Sequence, residues 1–168
     1  MAHRNFFIGL SGFAGCGKDL FFELLRDEFE DNNVSVSKIS IAESLKVECR
    51  STLVRLMGID ILNCTREEKD KVRDYLVFYG LVMRDRSGGR HWIDRASEQI
   101  DRDSRRIDDL GLNRIITIDD RWHFLDEENG ERFPHVFCVT DVRYDEYEKD
   151  EVYWVKNELK GTLVHLTK

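Results

Sequence analysis

The chain has 168 residues, of which 26 are Lys or Arg and 33 are Asp or Glu, so its formal net charge is -7. This length suits one domain with a substantial core rather than two domains. The acidic balance argues against a surface that coats a nucleic-acid polymer, although a local cluster of basic side chains can still bind a small anion.

The cysteines and the first apolar run bear on the compartment in which the protein is found. Cys16, Cys49, Cys64 and Cys138 form no CxxC pair and no Cys/His set at zinc spacing, so we expect no metal–thiolate site. Scattered thiols of this kind are typical of reducing conditions. Residues 6–10 are too few for a secretory leader or a membrane span, and we expect a cytoplasmic protein that binds no membrane.

The first third of the chain alternates between strand and helix patterns. Residues 6–10 form a short apolar run that stops at a serine and a glycine, which predicts a buried strand. Residues 18–30 carry apolar side chains at helical spacing, and residues 34–41 alternate as in a second strand. A helical pattern returns over residues 42–57, whose predicted inward-facing side chains are Leu45, Cys49, Leu53 and Leu56.

Two more helices are predicted in the middle of the chain. Residues 65–86 have an apolar face made of Val72, Leu76, Tyr79 and Met83. The Ser-Gly-Gly sequence at residues 87–89 breaks this pattern, and residues 92–100 restart it.

The last third of the chain returns to strands. Residues 114–118 are a candidate strand within a hairpin insertion over about residues 114–134, whose turn is predicted at residues 126–130. Residues 135–140 and 162–166 are predicted strands on either side of a helix over residues 145–159. Strands that alternate with helices predict an α/β fold, with a mostly parallel sheet covered by helices on both faces.

The glycine-rich stretch after the first strand predicts a phosphate-binding loop. Gly12, Gly17 and Lys18 fit the pattern G-x-x-x-x-G-K, which is usually followed by Ser or Thr, whereas Asp19 follows here. In such a loop, successive backbone N–H groups curl around phosphate oxygens at the start of a helix, and the lysine adds a point charge. The alternative is a tight turn between strand and helix with a solvated lysine.

Asp19 has two interpretations. As an acidic residue in the first turn it favours the helix dipole. As a functional group it takes the place of the hydroxyl that normally contacts magnesium, and a carboxylate that faces a triphosphate requires an intervening Mg²⁺ ion or water. We favour the metal-linked role.

Four stretches together resemble a known family of enzymes. They are AGCGKD at residues 14–19, IAESLK at residues 41–46, Tyr79-Gly80 followed by Arg84 and Trp92, and TDVRY at residues 140–144. These resemble, in the same order along the chain, motifs of the phage-type deoxynucleoside monophosphate kinases, a branch of the P-loop kinases. That family commonly has Asp after the loop lysine, so Asp19 is similar to a family trait.

The resemblance implies one P-loop kinase-like domain over residues 1–168, built as a three-layer sandwich with a helical monophosphate-binding segment over about residues 42–102. It implies phosphorylation of deoxynucleoside monophosphates by ATP with Mg²⁺, in the cytoplasm of the host if the chain is viral. The implied partners are the two nucleotides, with a homodimer left open.

The resemblance also implies roles for individual residues. The implied ATP-binding residues are Gly12, Phe13, Ala14, Gly15, Cys16, Gly17, Lys18 and Asp19. The implied catalytic residues are Lys18, Asp141 and Arg143, of which Asp141 would also bind Mg²⁺ together with Asp19. The implied substrate-binding residues are Lys46, Arg84, Trp92 and Arg143.

Several alternatives stay open. For Arg50, a position on a solvated basic face is favoured over a phosphate contact. Trp92 fits a core or hinge position as well as a base-stacking one. The pair Asp119-Asp120 is a rival acidic site to Asp141. Arg102, Arg105 and Arg106 form either a solvated helix face or a substitute for lid arginines.

Two other classes of function compete with the kinase. One is an ATPase that uses hydrolysis to drive a motion, which normally has an acidic residue directly after the strand-end aspartate, where Val142 stands here. The other is a nucleotide-binding protein without turnover.

Overall fold

A computed structural model describes residues 5–13, 15–31, 34–109, 117–118, 121–122 and 135–167. The strands are β1 (Asn5–Gly12), β2 (Ser35–Ser40), β3 (Thr117–Ile118), β4 (Arg121–Trp122), β5 (His135–Val142) and β6 (Thr162–Leu166). The helices are α1 (Lys18–Asp31), α2 (Ile41–Met57), α3 (Arg66–Arg86), α4 (Arg90–Asp109) and α5 (Glu151–Tyr153), and α5 continues as a π-helical turn, Trp154–Glu158.

Four of the strands form an all-parallel sheet in the order β2-β5-β1-β6. The connection from β1 leads to β2 on one side, and the connection from β5 leads to β6 on the other. β1 and β5 are neighbours, so a topological switch point lies between their carboxyl ends. Ligands of open α/β sheets bind at such a point, and here it lies beside the glycine-rich loop.

Alternate side chains of β5 enter two cores on opposite faces of the sheet. Val136 and Cys138 pack with Phe22 of α1. Phe137 and Val139 pack instead with residues of α4 and of the π-helical turn. The near-continuous apolar sequence of β5 therefore reflects a central strand buried on both faces, and helices cover both sides of the sheet, as predicted.

The helices α2, α3 and α4 form a lobe beside the sheet. A core of Cys49, Leu53, Val72 and Leu76 joins α2 to α3. The carboxylate of Glu48 accepts hydrogen bonds from the Tyr79 hydroxyl at 2.7 Å and from Arg95 Nε at 3.3 Å, and lies 3.0 Å from His91 Nε2. Each of the three helices contributes to this cluster, which holds the lobe together.

The helix starts and stops follow local sequence signals. Ser40 caps α2 by accepting a hydrogen bond from the Glu43 N–H, and α2 ends at Gly58 in the left-handed conformation. Thr65 and Glu68 form a capping box at the start of α3. These signals explain why α2 and α3 lie within one residue of their predicted bounds.

Three predictions about the elements need correction. Residues 145–159 are not one helix: α5 begins at Glu151, because the preceding loop is held by the side chains of Asp150 and Glu151. Leu56 is 68% exposed rather than inward, since α2 has passed the end of the α2–α3 core at that point. The helix predicted over residues 92–100 extends from Arg90 to Asp109.

The hairpin insertion lies largely outside the described residues. Within it, β3 and β4 pair antiparallel, while the turn predicted at residues 126–130 and the rival pair Asp119-Asp120 fall in the undescribed part.

In the described part of the chain, no helix combines the length and the apolar character needed to cross a bilayer.

His135 provides a test of this fold through acid unfolding. It is buried at the start of β5, its Nε2 lies 3.0 Å from the Ser37 hydroxyl, and burial lowers its pKa to about 4. Its contribution to the free energy of unfolding is therefore fully present above its unfolded pKa near 6.5 and is lost as the pH falls through 4, at ~1.4 kcal/mol for each unit of pKa difference.

We expect His135→Gln to lower the free energy of unfolding at pH 7 and to flatten its decline between pH 6.5 and 4, as measured by urea unfolding at several pH values. Parallel pH profiles for the two proteins would contradict this account of His135.

Candidate functional site

The loop between β1 and α1 has the backbone conformation that its glycines permit. Gly12, Gly15 and Gly17 have φ angles of 141°, 74° and 92°, in the region that side chains with a Cβ rarely adopt. Gly12 also lacks room, since a Cβ there would lie 2.6 Å from the Leu166 carbonyl oxygen and 2.7 Å from Cys16 Sγ. The loop therefore depends on glycine for both its dihedral angles and its contact with β6.

Lys18 lies at the start of α1 and folds back over the loop. Its Nζ donates hydrogen bonds to the carbonyl oxygens of Gly12 at 2.9 Å and Phe13 at 3.0 Å. Amides in the first turn of α1 have no acceptor within the helix and are available to an anion. The structure thus brings together the predicted loop residues, except Ala14, which lies outside the described residues.

A cleft of about 790 Å³ opens between this loop, the carboxyl ends of the strands and the helical lobe. Seven basic side chains line it against four acidic ones, although the chain as a whole is acidic. The basic residues are Lys18, Lys38, Lys46, Lys69, Arg73, Arg84 and Arg143. The cleft therefore concentrates positive charge and favours an anionic ligand.

Asp19 faces the cleft and is paired with a residue that the sequence analysis missed. Its Oδ1 accepts a hydrogen bond from Lys38 Nζ at 2.9 Å. That bond and the charge of Lys38 lower the pKa of Asp19, with smaller contributions from Lys18 and Lys46. The charges of three lysines thus act on the Asp19 carboxylate, and Lys38 is the one in direct contact with it.

Lys38 could have been noticed in the sequence. It follows Val36 by two residues in β2, so it lies on the face of the sheet that packs against α1, close to the carboxyl end of the strand. Its ammonium lies 5.3 Å from the centre of the Phe22 ring.

Asp141 lies at the carboxyl end of β5 in a strained conformation. Its φ angle is 68°, and the register between β1 and β5 shifts at the same place. Ser40 donates a hydrogen bond to Asp141 Oδ2 at 3.4 Å, and Arg143 Nη2 lies 3.5 Å from Oδ1. A left-handed aspartate persists only where its surroundings hold it, and such residues cluster at functional sites.

Glu151 is an acidic residue of the cleft that sequence reasoning missed. Its side chain is buried, and Oε2 accepts hydrogen bonds from the backbone N–H groups of Arg143 at 2.7 Å and Tyr144 at 3.2 Å. Burial raises its pKa to about 7 against the opposing effect of these bonds. Glu151 fixes the loop that carries Arg143.

Arg84 lines the cleft, but acidic groups already hold its guanidinium. Nη1 lies 2.8 Å from Glu146, Nη2 is hydrogen-bonded to the fully buried Asp150, and the group stacks 3.8 Å from the Tyr144 ring. Glu146 remains exposed and could exchange partners, whereas Asp150 could not. This arrangement joins α3 to the loop after β5.

The other predicted residues divide into two groups. Lys46 lines the cleft on α2. Trp92 also borders the cleft but is buried in the core, the position named as its alternative, and its Nε1 donates to the Gly80 carbonyl at 3.0 Å. Arg50 lies outside the cleft and pairs with Asp60 at 2.6 Å. Arg102, Arg105 and Arg106 do not line the cleft.

The acidic residues of the cleft are better suited to a metal ion that is bound together with a nucleotide than to a metal ion held by protein ligands alone. Within the described ranges, no three His, Cys, Asp or Glu side chains are grouped to hold an ion. Asp19 and Asp141 both line the cleft. Mg²⁺ is commonly held by one or two carboxylates together with substrate phosphates, and these two residues fit that use.

Comparisons with protein-family models, with curated proteins and with solved structures gave no match for this chain. The resemblance to the deoxynucleoside monophosphate kinases remains a prediction from the motifs.

Replacement of Arg84 separates its structural contacts from the predicted clamp role. Arg84→Met would leave Asp150 buried without its partner, which we expect to cost about 3–5 kcal/mol in the free energy of unfolding. Arg86→Met, two residues away and exposed, serves as the matched control and should cost little. Chemical denaturation measures both effects. A variant that unfolds like the wild type but no longer binds a nucleoside monophosphate would favour the clamp role instead.

Proposed function

We propose that the protein is an ATP- and Mg²⁺-dependent kinase that phosphorylates deoxynucleoside monophosphates. The observation that carries the proposal is the positive charge of the cleft at the glycine-rich loop, where seven basic side chains face four acidic ones and Lys38 pairs with Asp19. This excess of basic groups needs additional negative charge to balance it. A polyphosphate group supplies that charge.

The fold supports the proposal. The loop follows the inner strand β1, and Asp141 ends its neighbour β5, so both lie at the topological switch point where α/β proteins bind ligands. A parallel sheet with helices on both faces and a glycine loop after an inner strand is consistent with the P-loop kinase-like three-layer sandwich that the motifs imply.

The residues of the cleft suit phosphoryl transfer. An oxygen of the acceptor phosphate forms a bond to the γ-phosphorus of ATP while the bond from that phosphorus to the β–γ bridging oxygen breaks, which leaves ADP. The loop amides and Lys18 would hold the phosphates of ATP in line, and Arg143 would stabilise the charge on the transferred group. Mg²⁺ held by Asp19 and Asp141 would neutralise oxygens of the β- and γ-phosphates.

The helical lobe offers a place for the acceptor. Leu45, Val77, Leu81 and the largely buried Trp92 line the cleft beside Gly80. This apolar wall suits a nucleoside, and Lys46 on the adjacent helix is placed to contact its phosphate. We therefore propose Lys46 rather than Arg84 as the principal cation for the acceptor.

The ATPase alternative has less support. The residue after Asp141 is Val142, which is fully buried in the core and cannot position a water molecule. No feature of the described residues favours binding without turnover over the kinase, and the following experiment distinguishes the three.

The test is a coupled assay of ADP release with each deoxynucleoside monophosphate in turn. We expect release that depends on an added monophosphate. Release without any acceptor would indicate an ATPase, and measurable ATP binding without release would indicate a binding protein. Either of these results would overturn the proposed kinase activity.

Lys18→Ala tests the loop within the same assay. We expect it to lower turnover by roughly 100- to 1,000-fold or more, because a cation aimed at the transferred charge is lost, while the melting temperature changes little. Lys71→Ala is the matched control, since Lys71 pairs with Glu67 on the exposed side of α3. Unchanged activity of Lys18→Ala would remove the loop from the mechanism.

A further inference from the structure

The contact between Asp19 and Lys38 differs from an ordinary surface ion pair in where it lies. The two side chains come from different elements, α1 and β2, and meet at 2.9 Å where both line the cleft. The Asp19 side chain is 85% exposed, whereas Lys38 is 37% exposed and its ammonium lies 5.3 Å from the centre of the Phe22 ring. Lys38 is thus the more enclosed member of the pair, and Asp19 is the more exposed one.

This contact lies next to Lys18, where the phosphates of a nucleotide and their metal ion would bring new charges. Asp19 directly follows Lys18, and Lys46 also acts on the Asp19 carboxylate from α2. Asp19 is hydrogen-bonded to Lys38, and the charges of Lys18 and Lys46 also act on it. When a metal ion binds the Asp19 carboxylate, Lys38 loses its ion-pair partner and requires another anion.

We propose that Lys38 exchanges partners during binding: it holds Asp19 while the cleft is empty and passes to a phosphate oxygen when a divalent metal binds Asp19. This inference rests on the proposed function in that it assumes a metal–polyphosphate ligand. Lys38 then has two effects of opposite sign, because it excludes free metal from Asp19 and attracts the phosphates. The metal enters with the nucleotide and not before it.

The test measures these two effects separately and without turnover. Lys38→Met keeps a long aliphatic side chain and removes the charge. Isothermal titration with tripolyphosphate in excess Mg²⁺ should show binding that is weaker by about tenfold or more, the effect of one lost charge-assisted contact. Titration with Mn²⁺ alone, followed by the paramagnetic resonance signal of the free ion, should show tighter binding.

Two comparisons make the outcome decisive. Lys71→Met is the control on α3 and should leave both titrations unchanged, and Lys38→Arg should behave more like the wild type than Lys38→Met does. In an Asp19→Asn background, Lys38→Met should still weaken tripolyphosphate binding, because the contact is with the phosphate itself. If the effect vanishes in that background, Lys38 only screens Asp19 and the exchange is wrong.

Other results overturn the proposal as well. They are unchanged or weaker Mn²⁺ binding by Lys38→Met, unchanged tripolyphosphate binding by that variant, or no binding of tripolyphosphate by the wild type. The titrations are independent of the acceptor assay. A protein that shows both effects of Lys38 yet releases no ADP would retain the exchange and lose the kinase activity.

Discussion

The pairing of β1 with β5 is the interaction on which the candidate site depends. The two strands run parallel from Asn5 and His135, and their carboxyl ends bring the glycine-rich loop and Asp141 to the same edge of the sheet. Because β5 is buried on both faces, neither strand can shift without disturbing two cores. The two cores on either face of the sheet therefore hold the glycine-rich loop and Asp141 in place beside each other.

A second feature follows from the distribution of charge. The chain carries a net charge of -7, yet the cleft is lined mainly by basic side chains. Most of these cations already have an acidic neighbour, and the strength of that pairing differs from one to another. Arg84 is fixed by a buried aspartate, whereas Lys38 is held by an exposed one. A ligand can bind a cation that is paired with an exposed acidic residue, such as Lys38, at little cost in free energy, because exposed ion pairs contribute little to stability.

The sequence predicted most of the elements, because their signals are local. The strand at residues 162–166, the loop glycines and the starts of α2 and α3 all depend on periodicity, turn residues or caps. The partners of charged residues depend on tertiary structure instead. The burial of Arg84, the contact of Lys38 with Asp19 and the support of the Arg143 backbone by Glu151 each join segments far apart in sequence, so a single sequence does not reveal them.

The close approach of Gly12 to Leu166 has a consequence for how this protein can vary. The carbonyl of the last strand lies under the loop, and the neighbouring Ser11 hydroxyl is 2.8 Å from His165 Nδ1. Substitutions in β6 can therefore tilt the loop without touching any bound molecule. Selection or laboratory evolution can therefore change the affinity of the site through residues of β6, which do not line the cleft.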